Sequence, residues 1–301
     1  MESSVQRVSK PKRAGRVWKI FGAIVLGLLL LLYVLFPVCM GSIASVRKPQ
    51  AAELPPDGYE AVAITAQDGT PLAGWYAAGE NGACILLIHG SNENLASITD
   101  HVTFLRSAGY GVFALTLRGH GGSGGRGNAL GWDCGQDVSS AVSYLRDKGV
   151  SRIGALGLSL GGEVLLASAA NEPELRAIVS DGATYHSLAD YLELPDNRSL
   201  WRSWTIRVMY ASTALFTGQR PPERSILESV EKAADTKFLL IAAGNVLSES
   251  AYGALYETAA NGRAELWTVP NAGHTQGLFV SPEEYRSRVL AFFQETLAEV
   301  G

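Results

Sequence analysis

Apolar and polar residues alternate in blocks along most of this chain. Short apolar runs fall near 83–89, 111–117, 152–157, 176–180, 237–243 and 264–269, and stretches with helical spacing lie near 95–108, 135–148, 160–171, 249–261 and 282–299. An apolar run too short for a helix and bounded by turn residues reads as a buried strand, and strands alternating with helices predict a largely parallel sheet covered on both faces. Upstream, Tyr59 to Thr65 and Leu72 to Tyr76 flank Gln67-Asp68-Gly69-Thr70. Asp-Gly between two strand-like runs predicts a hairpin, which would supply antiparallel entry strands. The rhythm breaks once, at residues 182–235, between the sixth and seventh strands. That insertion is rich in Trp201, Trp204, Ile206, Val208, Met209, Tyr210, Leu215 and Phe216. Apolar side chains are usually buried, so packing onto the main body is the simpler expectation for them, and contact with an acyl chain or a membrane the alternative.

The first forty residues follow a different pattern. Ile20 to Val38 carries no charge, and a helix of that length, at about 1.5 Å per residue, approaches the roughly 30 Å hydrocarbon core of a bilayer. Before it stand Arg7, Lys10, Lys12, Arg13, Arg16 and Lys19 against Glu2. The positive-inside rule then keeps the N-terminus cytoplasmic and sends the remainder across. The expected organisation is a basic cytoplasmic tail (1–19), a transmembrane signal-anchor helix (20–40), a linker (41–57) and a folded domain (58–301). In the linker, Lys48-Pro49 and Pro55-Pro56 favour extended backbone. The competing reading is secretion after cleavage at the small-x-small site Ser42-Ile43-Ala44, but the apolar run exceeds the roughly 7–15 residues of a signal-peptide core.

The 301 residues, 47% of them apolar, suffice for one α/β domain plus an extra segment. A net charge of −4, with basic residues concentrated at the N-terminus, gives no footprint for nucleic acid. Cys39, Cys84 and Cys134 are widely spaced and form no CxxC, so neither a disulfide framework nor a zinc site is indicated. No metal and no organic cofactor is expected. Gly122-Ser123-Gly124-Gly125-Arg126-Gly127 formally matches a dinucleotide fingerprint, but Arg118 to Gly121 separate it from the strand and no helix start follows.

Candidate chemistry centres on Gly157-Leu158-Ser159-Leu160-Gly161, which follows the strand Arg152 to Leu156 and leads into Gly162-Glu163-Val164-Leu165-Leu166-Ala167. G-x-S-x-G between strand and helix is a nucleophile elbow, in which the glycines leave room for a strained turn that lifts the serine hydroxyl. Far downstream, Asn271-Ala272-Gly273-His274 follows another strand and supplies a candidate base. Two carboxylates are candidates for orienting it: Glu249, after the strand 237–243, and Asp181, at the end of the strand 176–180. A serine hydroxyl is a weak nucleophile at neutral pH, so an imidazole must accept its proton and a carboxylate must hold that imidazole.

The order Ser, acid, His differs from that of trypsin-like and subtilisin-like enzymes and resembles the α/β-hydrolase superfamily. The resemblance covers roughly residues 58–298. It includes Ile85-Leu86-Leu87-Ile88-His89-Gly90, similar to a strand-to-HG turn carrying half an oxyanion hole, and Arg118-Gly119-His120-Gly121-Gly122-Ser123, similar to the RGxGxS loop. The nearest resemblance is to serine aminopeptidase-like and dienelactone hydrolase-like groups. The sequence departs from the family in its acid loop, where Gly244-Asn245-Val246-Leu247-Ser248-Glu249 has no aspartate and places its carboxylate two residues late. The resemblance implies an α/β-hydrolase fold: a mostly parallel eight-stranded sheet flanked by helices, with the insertion 182–235 as a lid. It implies a serine hydrolase with Ser159, His274 and Glu249 (alternative acid Asp181), and the backbone amides of Leu160 and Ser91 as oxyanion donors. The expected substrate is a small acyl compound, lipids included, cleaved at an ester or related bond. An acyltransferase with the same triad, or a silent hydrolase-like domain binding a partner at the membrane, are the alternatives.

Overall fold

The computed structural model describes residues 12–47, 54–222 and 224–298; Arg7 and Lys10 of the basic tail and Lys48-Pro49 of the linker lie outside them. Eight strands form one sheet: β1 (Glu60–Thr65), β2 (Pro71–Ala77), β3 (Ala83–Ile88), β4 (Gly111–Leu115), β5 (Arg152–Leu158), β6 (Leu175–Asp181), β7 (Lys237–Ala243) and β8 (Ala264–Val269). Their order is β1-β2-β4-β3-β5-β6-β7-β8. The hairpin expected around Asp68-Gly69 pairs β1 with β2, β2 continues antiparallel to β4, and every later pairing is parallel. Both faces are covered, which is why β3 and β4 are buried along their whole length and read as unbroken apolar runs.

The helices are α1 (Lys12–Leu30), α2 (Phe36–Ala44), α3 (Thr99–Ser107), α4 (Gly135–Asp147), α5 (Leu160–Ser168), α6 (Leu188–Glu193), α7 (Leu200–Thr217), α8 (Ile226–Lys232), α9 (Leu247–Ala259), α10 (Gly277–Val280) and α11 (Pro282–Thr296). Helices α4, α5, α8 and α9 bury Val138, Leu165, Val230 and Tyr252 against one face. The other face is covered by α3 and α11, through Val102, Leu105, Val289 and Phe293.

α1 and α2 form one rod, joined by a π-helical turn at Leu31–Leu35. Pro37 has no N–H to return to the carbonyl four residues back, and the ladder loosens at that point. The helix runs four residues past the expected end of the anchor at residue 40, and the backbone of the next three residues lies against Gly127. A methyl on Gly41 would stand 2.7 Å from the Met209 carbonyl oxygen, so α2 crosses α7 at backbone contact, as small residues allow. The Ala44 carbonyl accepts the Ala129 N–H at 3.1 Å. Arg47 donates to the carbonyls of Gly121 (2.8 Å), Ser123 (2.7 Å) and Gly125 (3.2 Å). Residues 41–47, read from sequence as the start of a free linker, are therefore part of the folded body. The glycine-rich loop turns its carbonyls toward this arginine.

The insertion 182–235 contains α6, α7 and α8. Ser187 and Asp190 cap the start of α6 reciprocally. On α7, Ile206 and Tyr210 bury against Trp132, whereas Trp201 packs on Tyr33 of the N-terminal rod. Leu200, Trp204, Leu215 and Phe216 remain exposed. Packing accounts for most of the apolar content of this cap and leaves these four side chains facing outward.

Phe293 is fully buried on α11, with its ring centroid 5.9 Å from that of Tyr110. It fills space that Gly154 of β5 leaves open. Phe293→Ala is expected to lower stability by about 3–5 kcal/mol through lost burial and a cavity, read as a fall in the urea midpoint of the full-length protein in detergent.

Candidate active site

Ser159 sits between the last residue of β5 and the first of α5, at φ 50° and ψ −115°. For a residue with a side chain this is a strained conformation, of order 1–3 kcal/mol, held only where the surroundings over-determine it. Its N–H donates to the Asp181 carbonyl at 2.7 Å and its carbonyl accepts the Glu163 N–H at 3.0 Å. The flanking glycines are sterically required. A methyl on Gly157 would lie 2.3 Å from the Gly161 carbonyl carbon, and one on Gly161 would lie 2.5 Å from the Ile88 carbonyl oxygen. Their absence of side chains lets α5 rest directly on β3 and β5.

Three predicted site residues meet here. His274 follows β8 in a loop whose neighbours Asn271 and Thr275 both adopt positive φ. Its Nε2 is 2.8 Å from Ser159 Oγ and its Nδ1 is 2.6 Å from Glu249 Oε1. Glu249 occupies the first turn of α9 but is not a solvent-facing charge: it is 1% exposed, and its Oε2 accepts the Ala243 N–H at 2.7 Å. The late carboxylate folds back to the end of β7, which compensates for the two extra residues. The Glu249 hydrogen bond raises the His274 pKa above its ordinary value of 6.5, against the opposing effect of burial.

The alternative acid, Asp181, makes a different contact. It accepts Tyr285 Oη at 2.9 Å, and burial pushes its pKa up to about 7. Its backbone serves the site through the carbonyl that holds Ser159. Next to it, Gly182 faces His274: a methyl there would lie 3.1 Å from the imidazole.

The amides of Leu160 and Ser91 make no hydrogen bond to another backbone group among the described residues. Leu160 is the first residue of α5, whose N-terminal end favours developing negative charge. Ser91 follows the His89-Gly90 turn, which Glu93 fixes by accepting the Gly90 N–H at 3.1 Å. His89 is wholly buried, with Nδ1 2.7 Å from the Gly90 carbonyl and Nε2 accepting the Leu117 N–H at 3.2 Å. Burial lowers its pKa to about 3, so it remains a neutral strut. In the RGHG loop, Arg118 pairs with Asp137 and Asp68, both at 2.7 Å.

Sequence reasoning missed two neighbours. Glu163, four residues after Ser159 and therefore about one helical turn away, accepts the Thr184 N–H (3.1 Å) and Oγ1–H (2.8 Å); burial raises its pKa to about 7. Tyr285, on α11, had no local sequence signal because it reaches Asp181 only through the tertiary fold.

The Hydrolase_4 family model, described as serine aminopeptidase, S33, matches residues 79–236. The uncharacterized protein YfhR of Escherichia coli O157:H7 is 30% identical over 148 residues, covering 46% of this chain and 52% of that protein. YfhR of Salmonella typhi is 30% identical over 159 residues, covering 46% and 54%. The chain thus spans about half the length of the curated relatives it matches. Among solved structures, the Pyrococcus furiosus esterase Pf2001 superposes with a TM-score of 0.65 at 22% identity, over 84% of this chain and 99% of that one. The alpha/beta hydrolase GrgF from Penicillium gives 0.63 at 18%, over 82% and 100%. The esterase RhEst1 from Rhodococcus gives 0.56 at 21%, over 78% and 99%. At these identities the likeness is one of fold, and the fold is that of α/β-hydrolases.

His274 is expected to titrate above 6.5 in a proton NMR experiment on its imidazole. Glu249→Gln removes the charge that favours the imidazolium, so the midpoint should fall; a midpoint unmoved by the substitution would assign the perturbation to another group.

Proposed function

Because the chain belongs to the serine aminopeptidase S33 family of α/β-hydrolases, we propose that it is a serine hydrolase that cleaves an ester or related acyl bond through an acyl-enzyme intermediate. The observation that carries this reading is the hydrogen-bonded series Ser159 Oγ, His274 Nε2, His274 Nδ1, Glu249 Oε1, with steps of 2.8 and 2.6 Å. Esterases among the structural neighbours favour an ester.

In this reading Ser159 Oγ attacks the substrate carbonyl while His274 Nε2 takes its proton. Negative charge builds on the carbonyl oxygen and meets the amides of Leu160 and Ser91, each contributing on the order of 3 kcal/mol if aligned before reaction. The tetrahedral species collapses as the bond to the leaving group breaks and Nε2 returns the proton to it. Water repeats the cycle on the acyl-serine, His274 taking its proton and returning it to Ser159. Glu249 holds Nδ1–H and stabilises the imidazolium in both halves. Asp181 holds the Ser159 N–H through its backbone carbonyl, and its carboxyl accepts from Tyr285.

The apolar rod supplies the second part of the proposal. Gly15–Ala44 is long and apolar enough to cross a membrane, and few of its residues are buried. With Arg16 and Lys19 at its start, we place the N-terminus in the cytoplasm and the hydrolase domain on the far side.

The test is labelling of the full-length protein with a fluorophosphonate probe. Attachment should map to Ser159 and vanish in Ser159→Ala, and His274→Ala should label far more slowly. An adduct elsewhere, or equal labelling of the His274 variant, would contradict the assignment. With a soluble p-nitrophenyl ester, kcat/KM should rise with pH as His274 loses its proton, with a midpoint above 6.5. Glu249→Gln should reduce it roughly 10³- to 10⁴-fold, as loss of the orienting carboxylate does in such triads.

A further inference from the structure

The N-terminal rod is too long for its task as a simple anchor. Gly15–Ala44 comprises 30 residues, about 45 Å of helix against a hydrocarbon core of roughly 30 Å. The excess is α2, which lies on the cap helix α7 with Pro37 and Gly41 buried. Residues 20–36, from the last charge at Lys19 to the residue before Pro37, span about 26 Å, close to the thickness of the core. That division puts the bilayer surface at Tyr33 to Phe36.

The cap is fastened at this level. In an α-helix the Tyr33 carbonyl would accept the N–H of residue 37, but residue 37 is proline. Trp204 of α7 answers instead, its Nε1–H donating to the Tyr33 carbonyl at 2.7 Å. Trp201 stands edge-on to Tyr33, with centroids 4.7 Å apart, and stacks on Phe36. Tryptophan and tyrosine are the side chains that collect where hydrocarbon meets headgroups. Along α7, Leu200 is 80% and Leu215 79% exposed, and Trp204 and Phe216 are also open. Leu247, at the start of α9 two residues before Glu249, and Phe279, in α10 after His274, are exposed as well. Four exposed large apolar side chains on one helix are unusual for a surface meeting only water.

The same unit reaches the candidate site. Ala129 donates its N–H to the Ala44 carbonyl, and its own carbonyl accepts Ser91 Oγ–H at 2.9 Å. Two hydrogen bonds thus separate the end of the rod from the turn holding the Ser91 amide. Trp132, in the same loop, packs edge-on to Tyr210 of α7 at 5.0 Å, and Gly131 lies against Leu160.

We propose that the partner of the cap is a lipid bilayer: α2 and α7 form one unit that seats the N-terminal end of α7, with Leu200 and Trp204, in the interfacial layer of the membrane the rod crosses. The substrate of Ser159 is then an ester-bearing amphiphile that enters from the bilayer. The substrate class rests on the hydrolase reading above; the seating of the cap does not.

The test uses the full chain in phosphatidylcholine vesicles, with Cys39→Ala so that the remaining native cysteines are the buried Cys84 and Cys134. A nitrobenzoxadiazole label is placed on Leu200→Cys, at the end of α7 beside Tyr33, and the cap is read there. The control is Asp147→Cys, at the end of α4 and 77% exposed. Phosphatidylcholine brominated in its acyl chains should quench the cap label at least about threefold more than the control; equal quenching overturns the seating. Kinetics read the coupling separately. Trp204→Phe removes the donor to the Tyr33 carbonyl, and should slow hydrolysis of p-nitrophenyl palmitate in vesicles about tenfold more than that of p-nitrophenyl acetate in water. Pro37→Ala, which restores a backbone donor, should recover most of that loss. Equal loss on both esters overturns the membrane route. Failure of the unmodified protein to hydrolyse either ester overturns the hydrolase reading, while the quenching result still decides the seating.

Discussion

The geometry of the candidate site depends on how closely α5 approaches the sheet. Gly157 and Gly161 remove the two side chains that would hold the helix off β5 and β3, and at each a single methyl would stand within 2.5 Å of backbone. The chain can then reverse in one residue, and Ser159 bears the strain at φ 50°. Once that turn is made, the neighbouring strands deliver the rest. β6 ends beside it and gives its Asp181 carbonyl to the Ser159 N–H; β7 ends at the amide that holds Glu249; β8 leads to His274. Parallel strands ending at one edge bring together residues more than a hundred positions apart, and the sheet supplies that convergence for side chains with no local relationship.

Much of this was legible in the sequence for a physical reason. Strands buried on both faces must be continuously apolar, and the eight strands stand at or within a residue or two of the apolar runs that predict them. The strained turn requires glycine, so the elbow announces itself. Contacts set by tertiary packing were not legible. The carboxylate at Glu249 looked displaced because a linear reading could not show α9 beginning at Leu247, which turns that side chain back to Ala243. Tyr285 meets Asp181 across 104 residues. The insertion 182–235 could be recognised as an interruption, but which of its apolar side chains are buried is decided by Trp132 on one side and by the N-terminal rod on the other.

The rod is also where sequence and structure diverge most instructively. The sequence predicts an anchor helix that ends at residue 40 and assigns no part to Pro37 or Gly41. Within the helix they act as a joint: Pro37 leaves a carbonyl in need of a donor, and Gly41 permits backbone contact with α7. Arg47 then closes the segment onto the RGHG loop, so that the apolar rod and the site architecture share residues.

Under the proposed function Ser159 becomes acylated during turnover. The most direct test is to mix the full-length protein with excess p-nitrophenyl acetate, quench in acid within the first turnover, and map the acetyl group by peptide mass spectrometry. Acetyl-Ser159 is expected in the unmodified protein, accumulating in a variant with impaired deacylation and absent from Ser159→Ala. Ester cleavage that proceeds with no acylated peptide, or with the acyl group on another residue, would contradict it.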